Sequence, residues 1–377
     1  MRIKERSVSL DLYRFFCMFL ITTTHITGYP KIIALLSSNH YNFYVTNLLF
    51  VLQRLSITGF VLISAYFLVN ATDTVKKVIS FWVQVLFYSV AILVFAAIFV
   101  PSSFSVKVLV KSVAPVLTYH YWYPVCYIFL LIMTPLLNKI IKNLSRKDHL
   151  SLILILGFFV SVFFHLNPFF DSYVFVGHYS HSLIWFILLY FIAAYIRLYG
   201  VRRKVLLGPV AFLISGILLL IVFVANRIAF NTGASALVTF FDKVDFNSYN
   251  ALLSLVLSVS SFITFLYLKI PSKKWLTQTV SFLAPTTFGI YLIQEHNAVR
   301  DALWEFVNIN QYAHSPWLFP MMLLVFLGLW VGAIGLYLLY RLADRLFLGK
   351  LEARLIALTQ RLLAFINRKF LSPPADR

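Results

Sequence analysis

Asp11 to His25 reads DLYRFFCMFLITTTH, a run apolar enough for a membrane helix that still carries an acid, an arginine and a histidine. On an α-helix the eleven steps from Arg14 to His25 make about three turns plus ~20°. The two side chains therefore share a face, about 16 Å apart along the axis, with Asp11 one turn before Arg14. An arginine in hydrocarbon costs about 2.5–3.5 kcal/mol on insertion scales, which turns such a residue toward a protein-lined, wet interior. The stripe Asp11, Arg14, His25 is the candidate floor and wall of a site. Taken by itself, His25 also fits a helix-end imidazole bonded to a neighbouring carbonyl.

The residues around this stretch are equally apolar. The chain has 377 residues, 61% of them hydrophobic and 12% charged, with a mean hydropathy of +0.86. That composition excludes an ordinary soluble domain and predicts an all-α, polytopic membrane bundle. Runs of about 20 apolar residues give ten candidate spans, at 9–29, 43–70, 75–100, 120–141, 150–167, 181–200, 205–229, 249–270, 277–297 and 318–340. No repeat of fixed period and no linker divides the chain, so 1–340 reads as one transmembrane domain and 341–377 as a basic tail. MRIKERSVSL before an apolar run resembles a signal peptide, but Asp11 and Arg14 fall where its apolar core belongs and no small-x-small cleavage site follows, so it reads as a retained first helix. Cys17 and Cys126 both fall inside spans, which implies no disulfide framework.

The net charge of +19 is distributed by loop. With ten spans, 24 of the 32 basic residues fall on one side, six on the other, and Arg14 and Arg54 stay in the membrane. The positive-inside bias then places both termini in the cytoplasm. Basic residues confined to short interhelical loops suit anionic membrane lipid, not nucleic acid. The tail from Arg341 mixes Leu, Ile and Phe with basic residues at helical spacing. It fits an amphipathic helix on the cytoplasmic leaflet and, equally, a straight extension of the last span packed on protein.

Several further stretches carry polar residues where lipid tolerates few. QRLSITGFVLISAYFL holds Arg54, Ser64 and Tyr66. Arg54 calls for an anionic substrate or for a structural acid such as Glu295. HYWYP, from His120 to Pro124, holds Trp122 and Tyr123, which composition alone reads as interfacial anchors. APTTFGIYLIQEH combines a proline and a glycine in a short apolar segment, the pattern of a broken helix lining a cavity. Its polar end carries Gln294, Glu295 and His296, or is simply a solvated helix end. In the aromatic segment 167–182, His178 and His181 sit at i and i+3, but no third and fourth metal ligand lies nearby. No metal site is expected; a loop at headgroup level, touching sugar, fits better.

Together these residues resemble the acyltransferase-3 family of integral membrane O-acyltransferases. Arg14 and His25 match its basic-x10-histidine first helix, SLDLYR its S-x-D-x-x-R lead-in, and FVLISAYFL its F-x-x-S-G-Y element, with Ala65 in place of glycine. YWYP resembles its W-Y element and TFGIYLIQEH its late G-I-Y-L-I-H element, where Gln294 stands in the usual histidine position and His296 follows two residues on. The resemblance covers essentially the whole chain. It implies transfer of an acyl group, usually acetyl, from cytoplasmic acyl-CoA to a hydroxyl of a cell-envelope glycan, in the plasma (inner) membrane, with no permanently bound cofactor. His25, Arg14 and Asp11 are then the catalytic candidates. Arg54, Ser64, Tyr66, Trp122, Tyr123, Tyr291, Glu295 and His296 are the substrate-binding ones. A histidine near neutral pKa suits deprotonation of an alcohol attacking a thioester, or a transient acyl-histidine. At about 16 Å, Arg14 anchors an anionic part of the donor while His25 works at the thioester. Exopolysaccharide or capsule repeat units, O-antigen, peptidoglycan and teichoic acid are the acceptors in order of expectation, and succinyl is the alternative acyl group. Two other classes fit the composition: a transporter or flippase for a lipid-linked sugar or organic anion, and a non-catalytic partner of a glycan polymerase.

Overall fold

The computed structural model describes residues 7–29, 32–36, 40–163, 165, 182–201, 204–246, 248–271 and 273–368. Asp171, His178 and His181 lie outside the described residues. The described residues are helical almost throughout, with no strand among them, and the protein is an all-α polytopic membrane bundle. Each of the ten apolar stretches has a helical counterpart. Six helices among the described residues are long and apolar enough to cross a membrane.

The helices that position the site are α1 (Val8–Gly28), α2 (Tyr41–Gln53), α3 (Ser56–Leu68), α4 (Thr74–Phe99), α5 (Val106–Val113), α6 (Trp122–Asn143), α7 (Arg146–Gly157), α8 (Leu183–Tyr199) and α9 (Lys204–Asn231). They continue with α10 (Ser235–Val244), α11 (Leu252–Tyr267), α12 (Lys274–Leu283), α13 (Thr287–Glu295), α14 (Arg300–Val307), α15 (Leu318–Ala343) and α16 (Gly349–Ile366). The first helix is the hub of the bundle, packed against α2, α3, α11, α12, α13 and α15.

The sequence of α1 explains how it fills that place. Ser7 caps it by accepting the Leu10 N–H, satisfying one of the orphan donors of a helix start. Its threonines return their hydroxyls to the helix: Thr22 donates to the Met18 carbonyl, Thr23 and Thr24 to Leu20, and Thr27 to Thr23. A polar run is thereby buried without unpaired O–H groups. Tyr13 stacks on Phe265 at 4.7 Å and accepts a hydrogen bond from Ser261 at 2.5 Å. A Cβ at Gly59 of α3 would stand 2.7 Å from both Cys17 Sγ and Tyr13 Oη, so a glycine there permits the close approach of the two helices.

Two predicted spans are broken. The second stops at Gln53 and restarts at Ser56, with Arg54 in the break. The ninth passes through a 3₁₀ turn at Ala284–Thr286, the place of Pro285, between α12 and α13. Both breaks are local: Pro lacks an N–H, and the Arg54 turn is closed by backbone bonds to Val51 and Leu52.

The tail continues α15 through a π-helical segment at Asp344–Leu348 into α16. The run Leu318–Ile366 is 49 residues long, about 73 Å, far more than a hydrocarbon core of about 30 Å needs. Leu348 and Leu355 pack on Val83 and Ile79 of α4, and the Ser80 hydroxyl donates to Glu352. Leu351, Leu358, Leu362 and Phe365 stay exposed.

Candidate active site

His25 stands in the last turn of α1 and meets Glu295 at the end of α13. Its Nδ1 is 2.9 Å from Glu295 Oε1, and both side chains are mostly buried. The Tyr29 hydroxyl, one turn beyond His25, donates to the same Oε1 at 2.9 Å. A carboxylate on Nδ1 orients the ring with its Nδ1–H toward Glu295 and leaves Nε2 as the nitrogen not held by it. The guanidinium of Arg300 lies 5.2 Å from the Tyr29 ring and bonds Asp301 at 2.9 Å.

A cavity of about 120 Å³ opens beside His25, with Thr24, Trp122, Tyr123, Tyr249, Phe288 and Tyr291 in its wall. Its lining is aromatic and aliphatic, with no lysine or arginine. Volume and chemistry suit a short, uncharged acyl group.

Arg14 faces a different cavity, nearer the start of α1. Asp11 Oδ1 accepts its Nη1 at 2.6 Å; Asp11 is buried and Arg14 about a quarter exposed. The geometry is that of a carboxylate holding a guanidinium in place. This second cavity, about 360 Å³, is polar, with Arg14, Ser64, Lys77, Ser80, Gln84 and Tyr127 among its walls. Two cations line it, with the Asp11 carboxylate behind Arg14 and Glu352 accepting the Ser80 hydroxyl of the wall.

The two cavities share no lining residue, and a closed circuit of five rings lies between them. Phe81 meets Tyr127 at 4.9 Å and Phe288 at 5.2 Å. Tyr127 meets Tyr123 at 6.0 Å, Tyr123 meets Tyr291 at 6.0 Å, and Tyr291 meets Phe288 at 6.2 Å. Phe81 and Tyr127 line the cationic cavity, while Tyr123, Phe288 and Tyr291 line the one at His25. A cationic chamber and an imidazole chamber are thus separated by a packed cluster of aromatic rings.

Residues 7–341 match the model of the acyltransferase-3 family, described as an acyltransferase domain. The chain belongs to this family. It is a multi-pass membrane acyltransferase. No curated protein and no solved structure gives a significant match.

Of the residues that the acyltransferase-3 resemblance singled out, most come together. His25 and Glu295 form one pair, Trp122, Tyr123 and Tyr291 wall its cavity, and Ser64 stands with Arg14 and Asp11 at the other. Three lie elsewhere. Tyr66 is in neither cavity wall; its ring lies under the Arg197 guanidinium at 4.6 Å and against Phe262. Arg54 does not pair with Glu295, the structural acid considered for it, because that carboxylate is taken by His25 and Tyr29. Its guanidinium lies over Phe50 at 4.0 Å and Tyr249 at 5.3 Å, with the Asp245 carboxylate as its nearby opposite charge. It touches the His25 cavity only through Tyr249.

His296 is fully buried and points away from His25. Its Nδ1 accepts the Ala298 N–H at 3.1 Å, while Nε2 faces the Ser89 carbonyl at 3.1 Å and the Ser112 hydroxyl at 3.2 Å. These bonds make it a neutral brace for the segment after Glu295. Gln294 is also fully buried, so neither supplies a second base beside His25. Among the described residues no cluster of three or more potential metal ligands occurs.

Tyr29, Arg300, Trp304 and Tyr127 were not legible as site residues. Tyr29 alone had a signal, being four residues after His25 and so on the same helix face. The others reach the site through tertiary packing.

Proposed function

We propose that the protein is an O-acyltransferase that moves an acyl group, acetyl above all, from cytoplasmic acyl-CoA to a hydroxyl of a cell-surface glycan at the plasma membrane. The His25–Glu295 pair at 2.9 Å carries this reading. It is an imidazole with one nitrogen oriented by a carboxylate and the other left for a substrate proton.

In this mechanism the acceptor hydroxyl gives its proton to His25 Nε2 as its oxygen attacks the thioester carbonyl carbon. Glu295 stabilises the imidazolium that forms, as the orienting carboxylate does in a hydrolytic triad. Collapse of the tetrahedral intermediate breaks the C–S bond, and the leaving thiolate takes the proton back from Nε2. One proton is borrowed and returned, and no redox partner is needed.

The chamber at Arg14 and Lys77 supports a donor with phosphate groups, since two cations line it and Asp11 holds the Arg14 guanidinium in place. For the pantetheine arm to reach His25, the rings packed between the two chambers would have to part. A cavity with no cation beside His25 favours acetyl over succinyl, whose free carboxylate would be buried there unpaired. The lipid-facing bundle makes membrane lipids the surrounding solvent, and nothing in the charge distribution calls for nucleic acid.

Inverted membrane vesicles supplied with acetyl-labelled acetyl-CoA test the proposal. Label is expected on surface glycan with the wild-type protein and not with His25→Ala. Movement of acceptor across the membrane without label would overturn the reading in favour of a carrier.

A further inference from the structure

Beyond the His25 chamber, at the end of the bundle where α1 and α13 finish, lies a cavity of about 490 Å³ walled by Tyr29, Asp301, Trp304, Glu305, Asn308 and Asn310. It shares Tyr29 with the hydrogen-bond network at Glu295, and none of its residues is explained by the donor side of the reaction. From these walls we infer that it is the acceptor subsite, built for an uncharged or amino-bearing sugar and against an anionic one. The inference rests on the acyl-transfer reading given above.

The wall is assembled by local sequence. Asp301, Trp304 and Glu305 stand at i, i+3 and i+4 on α14, hence on one helix face. Asn308 ends that helix in the left-handed region, at φ 40°, a conformation asparagine tolerates better than most residues. The chain is thereby turned so that Asn310, in the following 3₁₀ turn, joins the same wall.

The chemistry of the wall is that of sugar recognition. The rings of His25, Tyr29 and Trp304 are nearly parallel. Their planes lie within 17° of one another and their centroids are 5.6, 6.5 and 6.0 Å apart. Tyr29 and Trp304 line the cavity, and their rings group with the His25 imidazole behind it. Such rings take the C–H face of a pyranose ring, while carboxylates and amides take its hydroxyls as donors and acceptors. Tyr29 is 40% exposed, and Trp304 is 5% exposed with an indole N–H that no protein atom satisfies.

Charge sets the selectivity. The wall holds two carboxylates and no lysine or arginine. Arg300, next to Asp301, is engaged by the Asp301 carboxylate and the Tyr29 ring. Asp301 is thus offset and the Glu305 carboxylate is left over. A uronate or phosphate in this cavity meets like charge, whereas a hydroxyl or ammonium meets an acceptor.

The test uses the full-length protein in lipid nanodiscs with no acyl donor present. Maltotetraose, a glucosamine trimer and a galacturonate trimer serve as neutral, amino and anionic probes, read by ligand-observed NMR and intrinsic fluorescence. The neutral and amino probes are expected to bind saturably and the galacturonate about tenfold more weakly or worse. Glu305→Lys, a change on an exposed side chain, is expected to narrow or reverse that order. Equal or tighter binding of galacturonate, or an order unchanged by Glu305→Lys, overturns the inference. If no probe binds while the protein still turns over acyl-CoA, the subsite assignment falls alone; if turnover is absent too, the acyl-transfer reading falls with it.

Discussion

At His25 the chemistry comes down to which ring nitrogen holds the proton. Glu295 and Tyr29 meet at one carboxylate oxygen, so three substitutions are expected to rank. His25→Ala removes the base and is expected to lower the acyl-transfer rate by about 10²–10⁴. Glu295→Gln keeps the shape but offers the imidazole an amide instead of an anion. It is expected to reduce kcat by about 10²–10⁴ with little change in the donor KM. Tyr29→Phe removes one of two bonds to that carboxylate and is expected to cost less than about tenfold. Initial rates with labelled acetyl-CoA, normalised to protein level in the membrane, check the order. Loss from Tyr29→Phe exceeding that from Glu295→Gln would contradict it. His25 and its partner Glu295 were both in the candidate set read from sequence, His25 because a helix face could be counted and Glu295 because it stands at the polar end of a broken apolar segment. Their pairing could not be read, because nothing in local spacing says which distant helix end arrives at Nδ1.

Among the helices, α1 and α3 touch through the glycine that meets Tyr13 and Cys17, and α16 touches α4 through Ser80. Gly59→Leu drives a side chain into two buried groups. It is expected to destabilise the bundle by about 1–3 kcal/mol, read as a lower melting temperature in detergent, while Gly59→Ala has the smaller effect. For the tail, Tyr340 packs on Phe87 at 5.6 Å and Glu352 reaches Ser80. Twelve residues of helix, about 18 Å, therefore advance only seven residues, about 10 Å, along α4. The helix therefore crosses α4 obliquely, and the wide π turn at Asp344–Leu348 lies between the two contacts. A Cβ at Gly349 would stand 2.9 Å from the Asp344 carbonyl. Gly349→Val is therefore expected to disturb this turn. With Ser80→Cys and Glu352→Cys as reporters, the wild-type backbone should form the cross-link and the Gly349→Val backbone should form markedly less. Equal cross-linking in both would argue against the turn. Sequence periodicity left this tail open between a surface helix and a packed extension. It is continuous with α15, docked on α4 along one face and exposed along the apolar face beside it.

Across the whole molecule the features of the proposed site follow one another: cations at Arg14 and Lys77, a cluster of packed rings, the His25 imidazole, then the cavity at Tyr29 and Trp304. Arg14 and Lys77 lie a chamber away from His25, so Arg14→Gln is expected to raise the donor KM about tenfold or more and to spare kcat. Steady-state kinetics over donor concentration in proteoliposomes decide this. A fall in kcat at unchanged KM would instead place Arg14 at the reacting atoms.

Sequence by itself determined the fold class, the membrane environment and the face of α1 that carries Asp11, Arg14 and His25. Hydropathy over about 20 residues and a 3.6-residue period are local properties, readable one helix at a time. The tertiary structure alone decided the contacts between helices. It gave Glu295 to His25 in place of Arg54 and turned Tyr66 toward Arg197 and out of both cavity walls. It packed five aromatic rings together between the two cavities and brought Trp304 beside the His25 imidazole. The physical reason is that a side chain's partner depends on how helices cross and which ends meet. Those are set by packing of the whole bundle, in which no single stretch holds the information.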